Sequence, residues 1–208
     1  MFGVQNFYLF LSVSILINLS PGPDMLYTAA RSLSQGIKAG VFSALGIFTG
    51  CIFHISAAVF GLSAIIENSV LLFSIIKYAG ALYLIYLGIR SFLSKRKKTE
   101  INDLPSLSNQ KIFVQGMLTN ILNPKVAIFF LSFLPQFIDP RSTHLKQQFA
   151  FLGFWFDVQG ALILTLVAIT TGMFRNILQK NNAFWNWQGK ITGLILFGLG
   201  LKIFISKK

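Results

Sequence analysis

The octapeptide NLSPGPDM, residues 18–25, places two prolines, a glycine and a carboxylate at the end of an apolar run. Proline removes a backbone donor and glycine frees the backbone, so in water this stretch would be an ordinary turn. Within a membrane it breaks a helix where no water can satisfy the freed backbone groups, so the break must face a protein interior or a watery cavity. The meaning of the stretch therefore depends on the solvent around the chain.

The composition indicates a membrane protein. Hydrophobic residues make up 54% of the 208 residues, charged residues only 12%, and the mean hydropathy is +0.66. Soluble domains contain about 25% charged residues, so this chain has too little polar surface to cover a fold in water. A single integral membrane domain, residues 1–208, accounts for the length.

Six stretches are long and apolar enough for transmembrane helices, each of which needs about 20 residues. The clearest are the second and the fifth; the other four are interrupted by a charge or by proline. The predicted spans are 4–30, 40–63, 69–93, 113–138, 147–174 and 184–205. The first stretch lacks a basic region and a small-residue cleavage site, so it is interpreted as a retained span and not as a signal peptide.

The basic residues give an orientation. The net charge of +12 comes largely from lysines and arginines at the ends of apolar runs and from KRKK at 95–98. This distribution is typical of a topology signal and not of a nucleic-acid-binding face, so no nucleic-acid partner is expected. With Arg31 and Lys38 in the first inside loop, we predict both termini outside and a cytoplasmic loop from Lys95 to Lys111. Lys207 and Lys208 at the outside C-terminus do not fit this rule.

The two halves of the sequence resemble each other in order. The paired stretches are NLSPGP (18–23) with NILNPK (120–125), ALGIF (44–48) with FLGFW (151–155), and YAGALYLIYLGIRSF (78–92) with WQGKITGLILFGLGLKIF (187–204). Chance similarity between glycine-rich apolar helices is the alternative. We interpret the pattern as repeat 1 at 1–94, a linker at 95–111 and repeat 2 at 112–208.

Three spans per repeat mean that the second repeat enters the membrane from the opposite side. The predicted fold is therefore an all-α integral membrane protein, with six transmembrane helices as a 3+3 inverted repeat and broken first and fourth helices. Such repeats indicate alternating access around a site where the interrupted helices meet. The first break contains Pro21, Gly22 and Pro23, and the second contains Asn123 and Pro124.

A helix break can bind both ends of a free amino acid. A restarting helix offers free N–H groups and a partial positive charge to a carboxylate, and freed carbonyls suit an ammonium group. Asp24 follows the first break, and an acid inside a span is a functional candidate. Alternatively, Asp24 caps the helix from Met25 onward.

Asp157 in the fifth span should be protonated, paired or hydrated, because a buried unpaired charge is costly. It could take up and release a coupling proton, or form a structural ion pair with Lys125. Lys125 could hold a substrate carboxylate, pair with Asp24 or Asp157, or extend towards the interface. Asn18 and Asn120 could satisfy freed backbone groups or reach the ligand. The candidate substrate-binding or coupling residues are Asn18, Pro21, Gly22, Pro23, Asp24, Asn120, Asn123, Pro124, Lys125 and Asp157.

Catalytic and metal sites have little support in the sequence. Cys51, the only cysteine, and His54 make too small a ligand set for a soft metal, and a lone histidine in an apolar span is typically a hydrogen-bonded interior residue. The sequence contains neither H-E-x-x-H nor G-x-S-x-G. We therefore expect no enzyme activity, no catalytic residue, no cofactor and no metal site.

The motifs also resemble a known family. LSPGPDMLYTAARSLSQGIKAGVFSALGIFTG (19–50), KYAGALYLIYLGIR (77–90) and GMLTNILNPKVAIFFLSFLPQFI (116–138) are similar to the LysE/RhtB family of bacterial lysine and homoserine/threonine exporters. The family motifs fall on Pro21, Gly22 and Pro23, and on Asn123, Pro124 and Lys125. The residue after the second proline varies across the family, so Asp24 is not assigned a role by resemblance.

The resemblance implies a secondary transporter in the bacterial cytoplasmic (inner) membrane. It would export amino acids, homoserine/threonine-like or other small ones, by proton antiport, with a homodimer among the assemblies implied. The expected partners are the amino-acid substrate, protons and the lipid bilayer. The alternatives are a metal-ion or other small-solute exporter of similar architecture and a non-transporting membrane subunit.

Overall fold

The computed structural model describes residues 3–68, 70–93 and 105–174, together with isolated positions 190, 194, 197, 198, 201, 204 and 205. The predicted sixth span is described only at those positions. The Lys95–Lys98 cluster and the two C-terminal lysines lie outside the described residues.

Helices make up nearly all of the described chain. In chain order they are α1 (Phe7–Leu19), α2 (Pro23–Gln35), α3 (Ile37–Ala57), α4 (Ser63–Asn68), α5 (Val70–Leu93), α6 (Asn109–Ile121), α7 (Pro124–Ile128) and α8 (Leu145–Met173). Two π-helical segments, Ala58–Leu62 and Phe129–Phe133, follow α3 and α7, and a 3-10 turn covers Leu134–Phe137. Gly36, with a φ of 87°, makes the turn between α2 and α3, where a side chain would be strained.

Both proline-containing stretches interrupt their helices. Ser20 and Gly22 are extended between α1 and α2, and Pro23 is the first residue of α2, where its missing N–H removes no helical hydrogen bond. The axes of α1 and α2 are bent by 50°. Pro124 begins α7 in the same way, and α6 is bent by 41° from Pro124–Phe137. The sequence thus sets both bends through proline at the N1 position.

Among the described residues, two helices are long and apolar enough to cross a membrane alone. They are Ile37–Ile65 and Leu145–Met173, of 29 residues each, and they correspond to the predicted spans 40–63 and 147–174. The number rises to four if each bent pair counts as one span. Large apolar side chains such as Phe53 and Leu162 point outward, as expected of a surface in contact with lipid. The chain is an all-helical, multi-pass membrane protein in the part that the structure describes.

Glycines bring α3 and α6 into backbone contact. A Cβ added to Gly46 would lie 2.1 Å from the Phe113 carbonyl oxygen, and one on Gly50 would lie 2.5 Å from the Met117 carbonyl oxygen. From the other helix, a Cβ on Gly116 would lie 2.7 Å from the Ser43 carbonyl oxygen. Small residues at such crossings are what allow helices to pack closely in membranes. This crossing joins the two halves of the sequence.

Phenylalanines fill the interior beside this crossing. The Phe129 and Phe156 rings stack with their centroids 4.3 Å apart, and the Phe10 ring meets the Phe137 ring edge-on at 5.3 Å. Offset and edge-on arrangements are those that aromatic quadrupoles favour. The cluster joins α1, the segment after α7, and α8, so it packs the first helix of the chain against elements from the second half.

Arg31 differs from the sequence prediction, which placed it in a loop after the first span. Helix α2 continues to Gln35, so Arg31 is helical and buried. Its guanidinium donates to Gln115 Oε1 at 3.1 Å and to the Pro105 carbonyl at 3.2 Å. A buried guanidinium requires such acceptors, and Pro105 before α6 and Gln115 within α6 supply them. The assignment was wrong because the sequence does not show that a later segment covers this helix end.

Close approach at Gly46 generates a stability prediction. We expect Gly46→Ala to lower the thermal unfolding midpoint of the purified protein in detergent, because overpacking a fixed backbone contact costs about 1–3 kcal/mol. Gly61→Ala is the matched control, since nothing lies within 4 Å of a Cβ there. It should leave the midpoint unchanged or raise it slightly. Equal midpoints for the two variants would contradict the close crossing.

Candidate functional site

Five of the ten candidate residues line one cavity between the broken helices and α8. Each comes from a different helix: Asn18 from α1, Asp24 from α2, Asn120 from α6, Lys125 from α7 and Asp157 from α8. The cavity is small, with a volume of about 30 Å³ for the centres of water-sized spheres, and it is partly open to the outside. The two breaks therefore meet at a common cavity, together with the acid of the fifth predicted span.

Lys125 binds the first break. Its ammonium donates to the Ser20 carbonyl at 2.7 Å and to the Ile17 carbonyl at 3.1 Å, where α1 ends. The Ile17 carbonyl also accepts from the Ser20 N–H at 3.1 Å. Gly22 makes this possible, because a Cβ there would lie 3.1 Å from the Lys125 ammonium nitrogen. The freed carbonyls do bind an ammonium group, but it belongs to the protein. Lys125 is buried, so it does not extend towards the interface.

Asp24 lies in the first turn of α2, at the N-terminal end of the helix. The N-cap residue of α2 is Gly22, and no side chain accepts a hydrogen bond from the N-terminal backbone N–H groups as a cap. The alternative in which Asp24 caps the helix is therefore wrong. One carboxylate oxygen, Oδ2, accepts a hydrogen bond from Asn120 Nδ2 at 2.9 Å. The other, Oδ1, is buried without a hydrogen-bond partner in the described part of the chain. Asp24 and Lys125 also interact through space, although they form no direct ion pair in the described residues.

The second break is held by the remaining motif residues. Asn123 caps α7 by accepting a hydrogen bond from the Lys125 backbone N–H at 3.0 Å, and Pro124 is the first helical residue. The Asn123 amide nitrogen is buried without a well-formed bond, beside the Asp24 carboxylate. His54 on α3 lies 2.9 Å from the Asn120 carbonyl, near the end of α6. The prediction of a hydrogen-bonded interior histidine is confirmed.

The two related asparagines have different partners. Asn18 Nδ2 donates to the Phe156 carbonyl at 3.1 Å, which joins α1 to α8 next to Asp157. Gly160 leaves room for this contact, since a Cβ there would lie 3.3 Å from Asn18 Oδ1. Asn120 instead binds Asp24 and keeps a buried Oδ1 without a partner in the described residues. Asn18 therefore satisfies a backbone carbonyl, whereas Asn120 binds a side chain and keeps its own oxygen buried close to Gly50 of α3.

Asp157 pairs with no cation in the part of the chain that the structure describes. The Cys51 thiol on α3 lies near its carboxyl group, without a well-formed hydrogen bond between them. The alternative of a structural ion pair with Lys125 is not realised, because Lys125 binds the first break. Sequence reasoning did not identify Cys51 as part of the site. Only the rotation of α3 about its axis brings the thiol to the carboxyl group, and no spacing in the sequence reports that rotation.

Apolar side chains form the rest of the cavity wall, and the sequence did not identify them. They are Met25, Ile47, Phe48, Val126, Phe156, Ala161 and Leu164. Met25, Ile47 and Leu164 also belong to one buried cluster, so this wall is part of the packed core. No group of three or more histidine, cysteine or acidic side chains in the described residues could hold a metal ion. The cavity thus combines one charged, polar side with one apolar side.

Removing the Lys125 ammonium should destabilise the fold. In Lys125→Met the Ser20 carbonyl loses its donor inside the protein, whereas the Ile17 carbonyl keeps the Ser20 N–H. An unsatisfied buried group costs about 1–3 kcal/mol. We expect a clearly lower thermal midpoint in detergent. Lys146→Met, at an exposed position of α8, is the control and should keep the wild-type midpoint. If the two variants unfold together, Lys125 does not stabilise the break.

Comparison with known proteins agrees with this architecture. The sequence profile of the LysE type translocator family matches residues 15–207. The membrane protein YrhP of Bacillus subtilis is 35% identical, over 95% of this chain and 97% of its own length. Leucine efflux proteins of Salmonella typhimurium and of an Enterobacter species are 27% and 26% identical, each over 97% of this chain and 96% of their own length.

No solved structure matches the chain at a significant level. The family profile nevertheless covers both breaks, α8 and all five cavity residues described above. The chain therefore belongs to the LysE type translocator family.

Proposed function

We propose that the protein exports amino acids with small or medium apolar side chains, and that the cavity between the two helix breaks is the substrate site. The observation that carries this proposal is that Asp24 and Asn120, which line the cavity and touch each other, each keep a buried oxygen without a partner in the described residues. Asp24 Oδ1 and Asn120 Oδ1 are both acceptors. Buried polar atoms are rarely left unpaired, so donors of a ligand in the cavity would satisfy these two side chains.

The charged side of the cavity matches the two ends of a zwitterion. The substrate ammonium would donate to Asp24 Oδ1 and Asn120 Oδ1. An ammonium group has three N–H donors, and two of those of Lys125 donate to carbonyls at the first break. Its third donor is available to the substrate carboxylate, supported by the positive end of the α2 dipole. Carboxylate and ammonium would thus bind to opposite charges that the protein holds fixed.

The apolar wall selects the side chain. Met25, Ile47 and Leu164 offer a surface on which an aliphatic group would be buried, at about 0.8 kcal/mol per CH₂. A cationic or acidic side chain would find no partner on this wall. The relatives named leucine efflux proteins also support an aliphatic substrate. Within the small amino acids expected from the sequence, the proposal favours leucine-like over homoserine- or threonine-like substrates.

Alternating access is the transport mechanism that we propose. The two bent helix pairs and α8 would form spans of a six-helix, 3+3 inverted repeat, and the cavity would open to each side in turn. We place the protein in the bacterial cytoplasmic membrane, with the Lys95–Lys111 loop in the cytoplasm and both termini outside. We propose the proton gradient as the driving force and a homodimer as an assembly to be tested.

Counterflow in proteoliposomes tests the substrate site. Vesicles loaded with unlabelled L-leucine should accumulate labelled L-leucine from outside, and L-lysine and L-threonine should compete less well. Asn120→Ala removes the donor to Asp24 and a ligand acceptor, so the half-saturation concentration should rise about 10–100-fold. Thr119→Ala is the control, because the Thr119 hydroxyl bonds within its own helix. Absence of counterflow for every amino acid, with the protein folded in the vesicles, would refute the proposed function.

A narrower cavity should change selectivity. Ala161 lies in the apolar wall on α8, and Ala161→Leu would fill space that an aliphatic substrate needs. We expect L-leucine counterflow to fall more than L-alanine counterflow, because the larger substrate loses more room. Ala150→Leu, at an exposed position of the same helix, should leave both rates unchanged. A parallel fall in both rates would argue against the wall as the side-chain pocket.

A further inference from the structure

We propose that Asp157 carries the coupling proton, whereas Asp24 and Lys125 remain charged throughout the transport cycle. This assignment rests on the proposed export function and gives the two acids of the cavity different roles: one carries the proton and the other keeps a fixed negative charge. Both are buried, with 8% of Asp24 and 6% of Asp157 exposed, so burial alone does not decide which carboxyl group carries the proton. The neighbouring groups of the two acids differ and do decide it.

Three neighbours favour an ionised Asp24. Asn120 donates to its carboxylate, the first turn of α2 provides a partial positive charge, and the Lys125 ammonium interacts with it through space. In turn, Lys125 is held in its ammonium form by two carbonyl acceptors and by that negative charge. The two residues therefore form a fixed pair of opposite charges, one from each half of the sequence.

Asp157 has none of these neighbours. It lies in the middle of α8, far from either helix end, and its contact is a thiol, which is a weak donor. From the surrounding helices, the titratable and charged groups that face the cavity are Cys51 on α3, Asp24 on α2 and Lys125 on α7; Asn18 on α1 is uncharged. Lys125 is already engaged at the first break. An ionised Asp157 would thus be a charge without a cation partner in the described residues, inside a membrane protein, which costs several kcal/mol.

A proton and a substrate ammonium can each remove that unpaired charge. With the cavity open to the outside and empty, a proton forms the O–H bond on Asp157, and the carrier returns with a neutral acid. On the cytoplasmic side the ammonium of an incoming amino acid binds Asp24 and Asn120, and its positive charge in the same cavity favours the ionised form of Asp157, so the O–H bond breaks and the proton passes to water. Because the bound substrate displaces the proton from Asp157 without being bonded to it, one proton enters for each amino acid that leaves.

Proteoliposomes distinguish coupling from binding. Exchange of internal for external L-leucine at equal pH needs no proton step, whereas net efflux into acidic medium does. Asp157→Asn should keep measurable exchange but lose the several-fold acceleration of efflux by an inward proton gradient. Asp157→Glu should retain part of the acceleration, because it keeps an ionisable group. Asp24→Asn should lose exchange and efflux together.

Proton release gives a second readout that a merely structural role would not move. Saturating L-leucine added to the detergent-solubilised wild type in weak buffer should release about one proton per bound substrate. Asp157→Asn should bind L-leucine without release, and Asp139→Asn, in the loop before α8, should release as the wild type does. Retained gradient acceleration in Asp157→Asn overturns the assignment, as does loss of exchange in a folded Asp157→Asn. Wild-type exchange in the same vesicles shows separately that the export function stands.

Discussion

The contact on which the described structure depends is the one between the Lys125 ammonium and the carbonyls of Ile17 and Ser20. A helix broken in a membrane leaves carbonyls that lipid cannot satisfy, so the break survives only if something inside the protein binds them. Here the second broken helix supplies that group, and Gly22 clears the space for it. The second break thus stabilises the first, because it supplies the ammonium group that binds these carbonyls. Any motion that separates α7 from the end of α1 must supply these carbonyls with a new donor, such as water.

The same logic extends to the second break. His54 lies against the Asn120 carbonyl, and the Asn120 amide binds Asp24, so α3, α6 and α2 share one polar network. Gly46, Gly50 and Gly116 bring the helix axes close enough for these bonds to form. Close packing of the helices is therefore what allows these buried polar groups to find partners.

Much of the fold follows from local sequence rules. Pro23 and Pro124 can only begin helices, so both breaks could be placed from the sequence, and the long apolar runs around Gly46 and Asp157 became single helices. The candidate site was predictable in its parts because charges and prolines inside spans are rare. Which of these side chains bind each other could not be predicted from the sequence. Helix rotation and tertiary packing decide whether Lys125 contacts Asp157 or a carbonyl, and whether Cys51 faces the cavity. The spacing of residues along the sequence does not encode either of them. Arg31 was misplaced for a related reason, since its acceptors lie far along the chain.

The two π-helical segments, Ala58–Leu62 and Phe129–Phe133, pack against each other, one in each half of the sequence. A π turn holds one residue more than an α turn, and each residue of an α-helix advances by about 100° around the axis. A step of four residues therefore stays closer to one face of a π turn than the mean step of about 3.6 that suits an α-helix. Gly46 and Gly50 mark the inner face of α3, and His54, Ala58 and Leu62 continue it as buried residues at steps of four through the first π turn. In this protein the inner face of the second span thus runs without interruption from α3 through the π turn.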